Sequence, residues 1–193
     1  MNNRTFFLIV MMTVLLTGCV TGAGVASSGA QAVYDRHSLQ RKLNDRYICM
    51  QAYHKIFNGS DQYKNDNISV ATFHGEVLLT GEVSDKEKRD KLTEIVKTIP
   101  DVQTVYNKTT LSTPSSPLTR VSDSWITTKL ETQFLADNEV DPDLIKVVTE
   151  NGVVYLMGIV PPEQAEEAAA LAKDTAGVQD VVKLFSYIRI SKS

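Results

Sequence analysis

The chain is poor in the residues from which most catalytic and metal centres are built. Cysteine occurs twice, at Cys19 and Cys49, and histidine three times, at His37, His54 and His74, all in the first half. Two cysteines cannot staple a disulfide miniature, and neither stands in a C-x-x-C or Cys/His spacing that would hold zinc. Aromatic residues make up 7% and tryptophan occurs once. Ten glycines and six prolines in 193 residues exclude a collagen-like or low-complexity chain. A surplus of positive charge is lacking too: 20 basic against 23 acidic residues give a net charge of −3, which argues against nucleic-acid binding by bulk electrostatics. No G-x-S-x-G, H-E-x-x-H, P-loop or dinucleotide fingerprint is present, so no catalytic residue, cofactor or enzymatic activity is expected. Asp137, Glu139, Asp141 and Asp143 alternate in a loop but lack the central glycine and terminal glutamate of a calcium loop, so no metal is expected. What remains, 42% hydrophobic and 22% charged, is an ordinary globular composition for one or two domains.

The N-terminus reads as a targeting signal over 1–18. Arg4 precedes an apolar run over 6–16 that only Thr13 interrupts, too short for a bilayer span of ~20 residues but suited to a secretory signal. The run ends in Leu16-Thr17-Gly18-Cys19, which resembles a bacterial lipobox. That resemblance implies cleavage before Cys19 and its acylation. Several acyl chains anchor a protein stably, at ~0.8 kcal/mol per buried methylene. Val20 stands where Asp commonly holds such lipoproteins in the inner membrane, which implies the outer membrane. The stretch 19–37 reads as anchor and tether, with 21–32 rich in Gly, Ala and Ser. With Cys19 acylated, Cys49 reads as a buried small hydrophobe in a helix with Tyr53 and Phe57.

The strongest internal signal is a repeat. A shift of 77 positions lays Ile68-x-Val70-x-Thr72-x-x-Gly75-x-Val77-x-Leu79-x-Gly81-x-Val83 on Ile145-x-Val147-x-Thr149-x-x-Gly152-x-Val154-x-Leu156-x-Gly158-x-Val160. Alternation on both sides of Asn151-Gly152 predicts a hairpin, with His74-Gly75 as the equivalent turn. A helix follows each hairpin, opened by a Ser84/Glu87 capping box in the first unit and by Pro161-Pro162 in the second, where Gly177 ends it. Third strands are predicted over 102–111 and 178–190, and leading helices over 38–58 and 122–136. The units are 38–111 and 120–190, with a Pro/Ser linker at 112–119. Each is α-β-β-α-β, an α+β layer with two helices on one face of a three-stranded sheet.

The hairpin pattern x-G-x-V-x-L-x-G-x-V, the element order and the tandem pair behind a lipobox resemble the BON (bacterial OsmY and nodulation) domain. Asp123-Ser124-Trp125-Ile126-Thr127-Thr128-Lys129 and Val147-Val148-Thr149-Glu150-Asn151-Gly152-Val153-Val154-Tyr155-Leu156-Met157-Gly158 resemble the second domain of the dual-BON outer-membrane lipoproteins associated with division and envelope stress. The resemblance implies a periplasm-facing, lipid-anchored protein that binds anionic phospholipid, gathers at division sites and supports envelope integrity.

The residues themselves single out the first helix of the second unit. Ile126, Leu130 and Phe134 form an inward stripe at 100° per residue, and Val121, Trp125, Thr128, Thr132 and Leu135 form another on the far side, with Arg120 and Lys129 near it. The same shift of 77 places Asn44, Ile48, Gln51, Lys55 and Asn58, mostly polar, at the matching points of the first unit. Trp125 could pack on the linker or on the other unit. Alternatively the stripe with Lys129 is exposed and enters a membrane interface, where tryptophan is favoured. From Arg120 onward seven basic residues face twelve acidic ones, so lipid binding there needs local insertion beside one or two cations. The rival expectation is an adaptor that uses the same face to hold a cell-envelope protein in wall remodelling.

Overall fold

A computed structural model of the chain describes residues 29–58 and 61–188. The signal over 1–18, Cys19 and most of the tether lie outside the described residues. The elements run α1 (Gly29–Tyr53), β1 (Asn67–Phe73), β2 (Glu76–Val83), α2 (Lys86–Lys97), β3 (Thr104–Asn107), β4 (Thr110–Leu111), α3 (Pro117–Ala136), β5 (Ile145–Glu150), β6 (Val153–Val160), α4 (Pro162–Asp174) and β7 (Asp180–Tyr187). Helix α1 passes into one π turn, His54–Asn58. This is α-β-β-α-β twice, the expected α+β order.

Each hairpin closes on two residues at positive φ, His74 (52°) with Gly75 (78°) and Asn151 (50°) with Gly152 (76°). Such turns match the twist of paired strands, which is why Gly takes the second place. The outer strand pairs antiparallel and the third strand parallel to the middle one, giving orders β1-β2-β3, with β4 also on β2, and β5-β6-β7. Ile68 faces Gly81 and Ile145 faces Gly158 in register. A side chain at Gly81 would meet the carbonyl of Asn67, and one at Gly158 that of Leu144, so the close approach expected at these glycines is between neighbouring backbones.

Several boundaries differ from those expected. Helix α1 begins at Gly29, inside the stretch read as tether, because Ala-rich segments are good helix formers as well as flexible ones. Helix α3 begins at Pro117 with Ser116 as its cap, five residues ahead of the expected start. The cap of α2 is Asp85, whose carboxylate accepts the Lys88 N–H at 2.8 Å, so the Ser84/Glu87 box does not form. Helix α4 stops at Asp174, before Gly177. The first third strand is split at Lys108-Thr109, where Asn107 Oδ1 accepts from both the backbone and hydroxyl of Thr109.

Two cores form on the helical sides of the sheets. Ile48, Ala52 and Ile56 pack with Val70, Val77, Leu79, Leu92 and Val96; Ile126, Leu130 and Phe134 pack with Val147, Val154, Leu156 and four alanines of α4. Cys49 sits half-buried at the edge of the first core, its thiol donating to the Val70 carbonyl at 3.6 Å, and burial pushes that thiol up from its ordinary range. The opposite faces of the two sheets meet each other: Leu78, with Ala71, Phe73 and Tyr106, packs on Tyr155, Met157 and Leu184. Strand β2 is therefore buried along its whole length. Domains of ~70 residues have small cores, and each large side chain buried at this joint contributes roughly 1.5–3 kcal/mol. Two carboxylates of β2 cross it: Asn151 Nδ2 donates to Glu82 Oε1 at 2.5 Å, and Ser186 Oγ to Glu76 Oε1 at 3.1 Å. Burial raises Glu76. In Glu82 burial acts the same way but is outweighed by hydrogen bonds from Asn67, Asn151 and Ser115, which leave its carboxyl below the ordinary range.

Candidate functional site

Helix α3 is held rigidly from its inner side. Ser116 Oγ accepts the Thr119 N–H at 3.2 Å and Pro117 opens the first turn. Ile126, Leu130 and Phe134 are sunk in the core. One turn ahead of them the carboxylate of Asp123, itself buried, accepts the backbone N–H groups of Asn151 and Gly152, both at 2.8 Å. A charged acceptor on two turn amides is among the stronger hydrogen-bonding arrangements. The first domain repeats this clamp: Asp45 accepts from His74 N at 2.8 Å and Gly75 N at 2.9 Å. Both clamps escape sequence reading, although each is an aspartate at the head of the inward stripe.

The far side of α3 is open. Trp125 is 55% exposed and Leu135 72%, with Val121 and, one turn earlier, Leu118 also exposed. Trp125 is thus more exposed than buried. Lys129 lies half-buried with Nζ 5.0 Å from the indole centroid, a cation–π contact that lays its stem along the ring. Thr128 and Thr132 are exposed, but their hydroxyls donate to the carbonyls of Ser124 and Thr128 one turn back, at 2.9 and 2.8 Å. The stripe therefore presents methyl groups more than hydroxyls. Arg120 is exposed at one flank, beside a polar hollow shared by Ser124, Thr127 and Thr128 of α3 with Asn67 and Ser69 of β1. The six site residues expected on this helix, Val121, Trp125, Thr128, Lys129, Thr132 and Leu135, thus share one surface. Leu118 was missed because α3 starts earlier than its expected boundary.

One expectation fails. Ile48 is fully buried. It is the counterpart of Ile126, and not of Trp125. The clamps show why: Asp45 stands 29 residues before its turn and Asp123 only 28, so the leading helices are related by 78 positions although the hairpins are related by 77. The first-domain counterparts of Val121, Trp125, Thr128 and Thr132 are therefore Leu43, Tyr47, Met50 and His54.

Among the described residues no three His, Cys, Asp or Glu side chains gather as a metal site. Asp137 and Asp141 instead turn back on the backbone N–H groups of Glu139, Val140 and Asp143. No described helix is long and apolar enough to cross a membrane. His74 stacks on Phe73 at 4.4 Å within its turn; burial and Arg41 hold its imidazole below the ordinary range, partly offset by Asp45.

Comparison with known proteins agrees with this duplicated architecture: the BON domain matches twice, over residues 52–113 and 122–189. The chain belongs to the BON-domain family. Among its relatives, the outer membrane lipoprotein DolP of Haemophilus influenzae is 30% identical over 91% of this chain and 92% of its own length. A 21 kDa hemolysin of Actinobacillus pleuropneumoniae is 28% identical over 80% of each chain, and the osmotically-inducible protein Y of Escherichia coli is 26% identical over 89% and 91%.

Proposed function

We propose that this protein is a non-enzymatic lipoprotein of the outer membrane, acylated at Cys19, facing the periplasm, that binds anionic phospholipid through Val121, Trp125, Thr128, Lys129, Thr132 and Leu135 and supports envelope integrity at division sites. The observation that carries the reading is the exposed face of α3: the protein's only tryptophan stands on an apolar stripe of a helix pinned from behind. Indole is favoured at the water–hydrocarbon boundary, and Lys129 and Arg120 stand where lipid phosphates would lie. The lipobox residues Leu16 to Cys19, followed by Val20, and the relative described as an outer membrane lipoprotein support the location.

The test is flotation of the mature chain, left unacylated by Cys19→Ser, with phosphatidylethanolamine vesicles containing or lacking phosphatidylglycerol. An inserted tryptophan contributes on the order of 1.5–3 kcal/mol, so Trp125→Glu weakens binding to the anionic vesicles at least tenfold while leaving the melting temperature unchanged. Undiminished flotation of Trp125→Glu would instead favour the adaptor reading, in which this face holds a cell-envelope protein.

A further inference from the structure

The corrected alignment of the leading helices exposes a second surface. Superposed through their clamp carboxylates, α1 places Leu43, Tyr47 and Met50 where α3 has Val121, Trp125 and Thr128, and Leu39 extends the row by one turn. Leu39, Leu43 and Met50 are each more than half exposed and Tyr47 is 43% exposed. At 100° per residue these four lie in one arc, opposite the buried Ile48, Ala52 and Ile56. Helix α1 is thus apolar on two sides, whereas a helix that serves only a core needs one.

The charges that the helix itself sets along this arc from Leu39 onward are cationic. Lys42 and Arg46 are exposed along its edge, and from Leu39 to Asn58 the only carboxylate is Asp45, on the inner side with both oxygens engaged by the turn amides. Lys42 Nζ lies 3.8 Å from Asp143, with both side chains largely exposed, a contact of little strength in water. In an acidic protein this is a local cationic rim on an apolar row.

We infer that the outer face of α1 is a second surface for an anionic membrane, reading lipid phosphate with Lys42 and Arg46 and the acyl boundary with Leu39, Leu43, Tyr47 and Met50. The inference extends the reading given to α3 and rests on the same lipid chemistry, but on a different helix. A second copy of the chain is disfavoured as the occupant, because two such faces would set Lys42 and Arg46 of each copy against those of the other, with only the exposed Asp143 beside Lys42 to offset them. Lipid phosphates neutralise those cations, and a tyrosine suits the boundary, with its ring in apolar surroundings and its hydroxyl in water.

The experiment uses the full acylated chain reconstituted in vesicles with brominated acyl chains, which quench a nearby indole. Trp125 reports α3 in the wild type. In a double variant, Trp125→Phe with Tyr47→Trp, the only indole reports α1. Quenching of the indole at position 47 by at least twofold in brominated phosphatidylglycerol, lost on adding Lys42→Glu and Arg46→Glu, is the expected result, with circular dichroism checking that each variant keeps its fold. An unquenched indole at 47 in a folded variant would overturn the inference, and so would quenching indifferent to head-group charge or a mass that doubles with concentration through this face. Failure of the α3 reading appears separately, as an unquenched Trp125 in the wild type.

Discussion

Helices α1 and α3 hold the same post in their domains and differ where the fold leaves them free. On the inner side, Ile48, Ala52 and Ile56 answer to Ile126, Leu130 and Phe134, and Asp45 answers to Asp123, because sheet and turn dictate what fits. On the outer side, Tyr47 and Met50 stand against Trp125 and Thr128, and of the cationic pair Lys42 and Arg46 only Lys42 has a cationic counterpart, Arg120, with Ser124 in the place of Arg46. Packing fixes one face of each helix, and the other records what the molecule meets.

That contrast breaks most sharply at adjacent residues. Ile48→Glu buries a carboxylate in the first core and should cost several kcal/mol, unfolding that domain, whereas Tyr47→Glu should stay within about 0.5 kcal/mol in thermal denaturation. Equal melting of the two variants would show that the 78-position alignment of the helices is wrong.

The clamps should behave alike. Asp45→Ala and Asp123→Ala each strip two turn amides of a charged acceptor, at about 2–4 kcal/mol, and hydrogen exchange should accelerate at His74 and Gly75 in one variant and at Asn151 and Gly152 in the other. A loss confined to one domain would mean that the repeated geometry does not carry equal energy.

A smaller effect is expected at the joint between the sheets. Glu82 sits below its ordinary value near 4.5 because hydrogen bonds from Asn67, Asn151 and Ser115 outweigh its burial. Its stabilisation is therefore full above about pH 4.5 and is lost as pH falls through the lowered folded value. Glu82→Gln should cost roughly 1–3 kcal/mol at neutral pH, and its melting curve should converge on that of the wild type in acid. Glu150, raised by burial and by the charge of Glu82, acts in the opposite sense, since its penalty is relieved on protonation.

Much of this was readable from the residues. The hairpins announced themselves because alternation and a turn that demands positive φ leave few choices, as His74-Gly75 and Asn151-Gly152 show. The outer stripe of α3 was legible because a helix with one core face makes a second apolar face conspicuous. The pairing of the helices was not, since one additional residue between helix and strand in the first domain costs almost nothing in a loop yet rotates every helical comparison by 100°. The joint between the sheets left a fainter mark: Val77-Leu78-Leu79 and Val153 to Met157 do not alternate, the sign of strands covered on both faces. The clamp aspartates were hidden because their partners are backbone amides, which carry no residue identity.

The same clamps have an evolutionary consequence. A carboxylate that fastens each helix from within makes folding nearly indifferent to what is written on the outside. Leu43 and Val121, Tyr47 and Trp125, or Met50 and Thr128 can drift, or be exchanged pairwise by an engineer, without renegotiating the core. A duplicated domain of this kind supplies two display surfaces on one scaffold, each open to acquiring its own adhesion while the other keeps the original one.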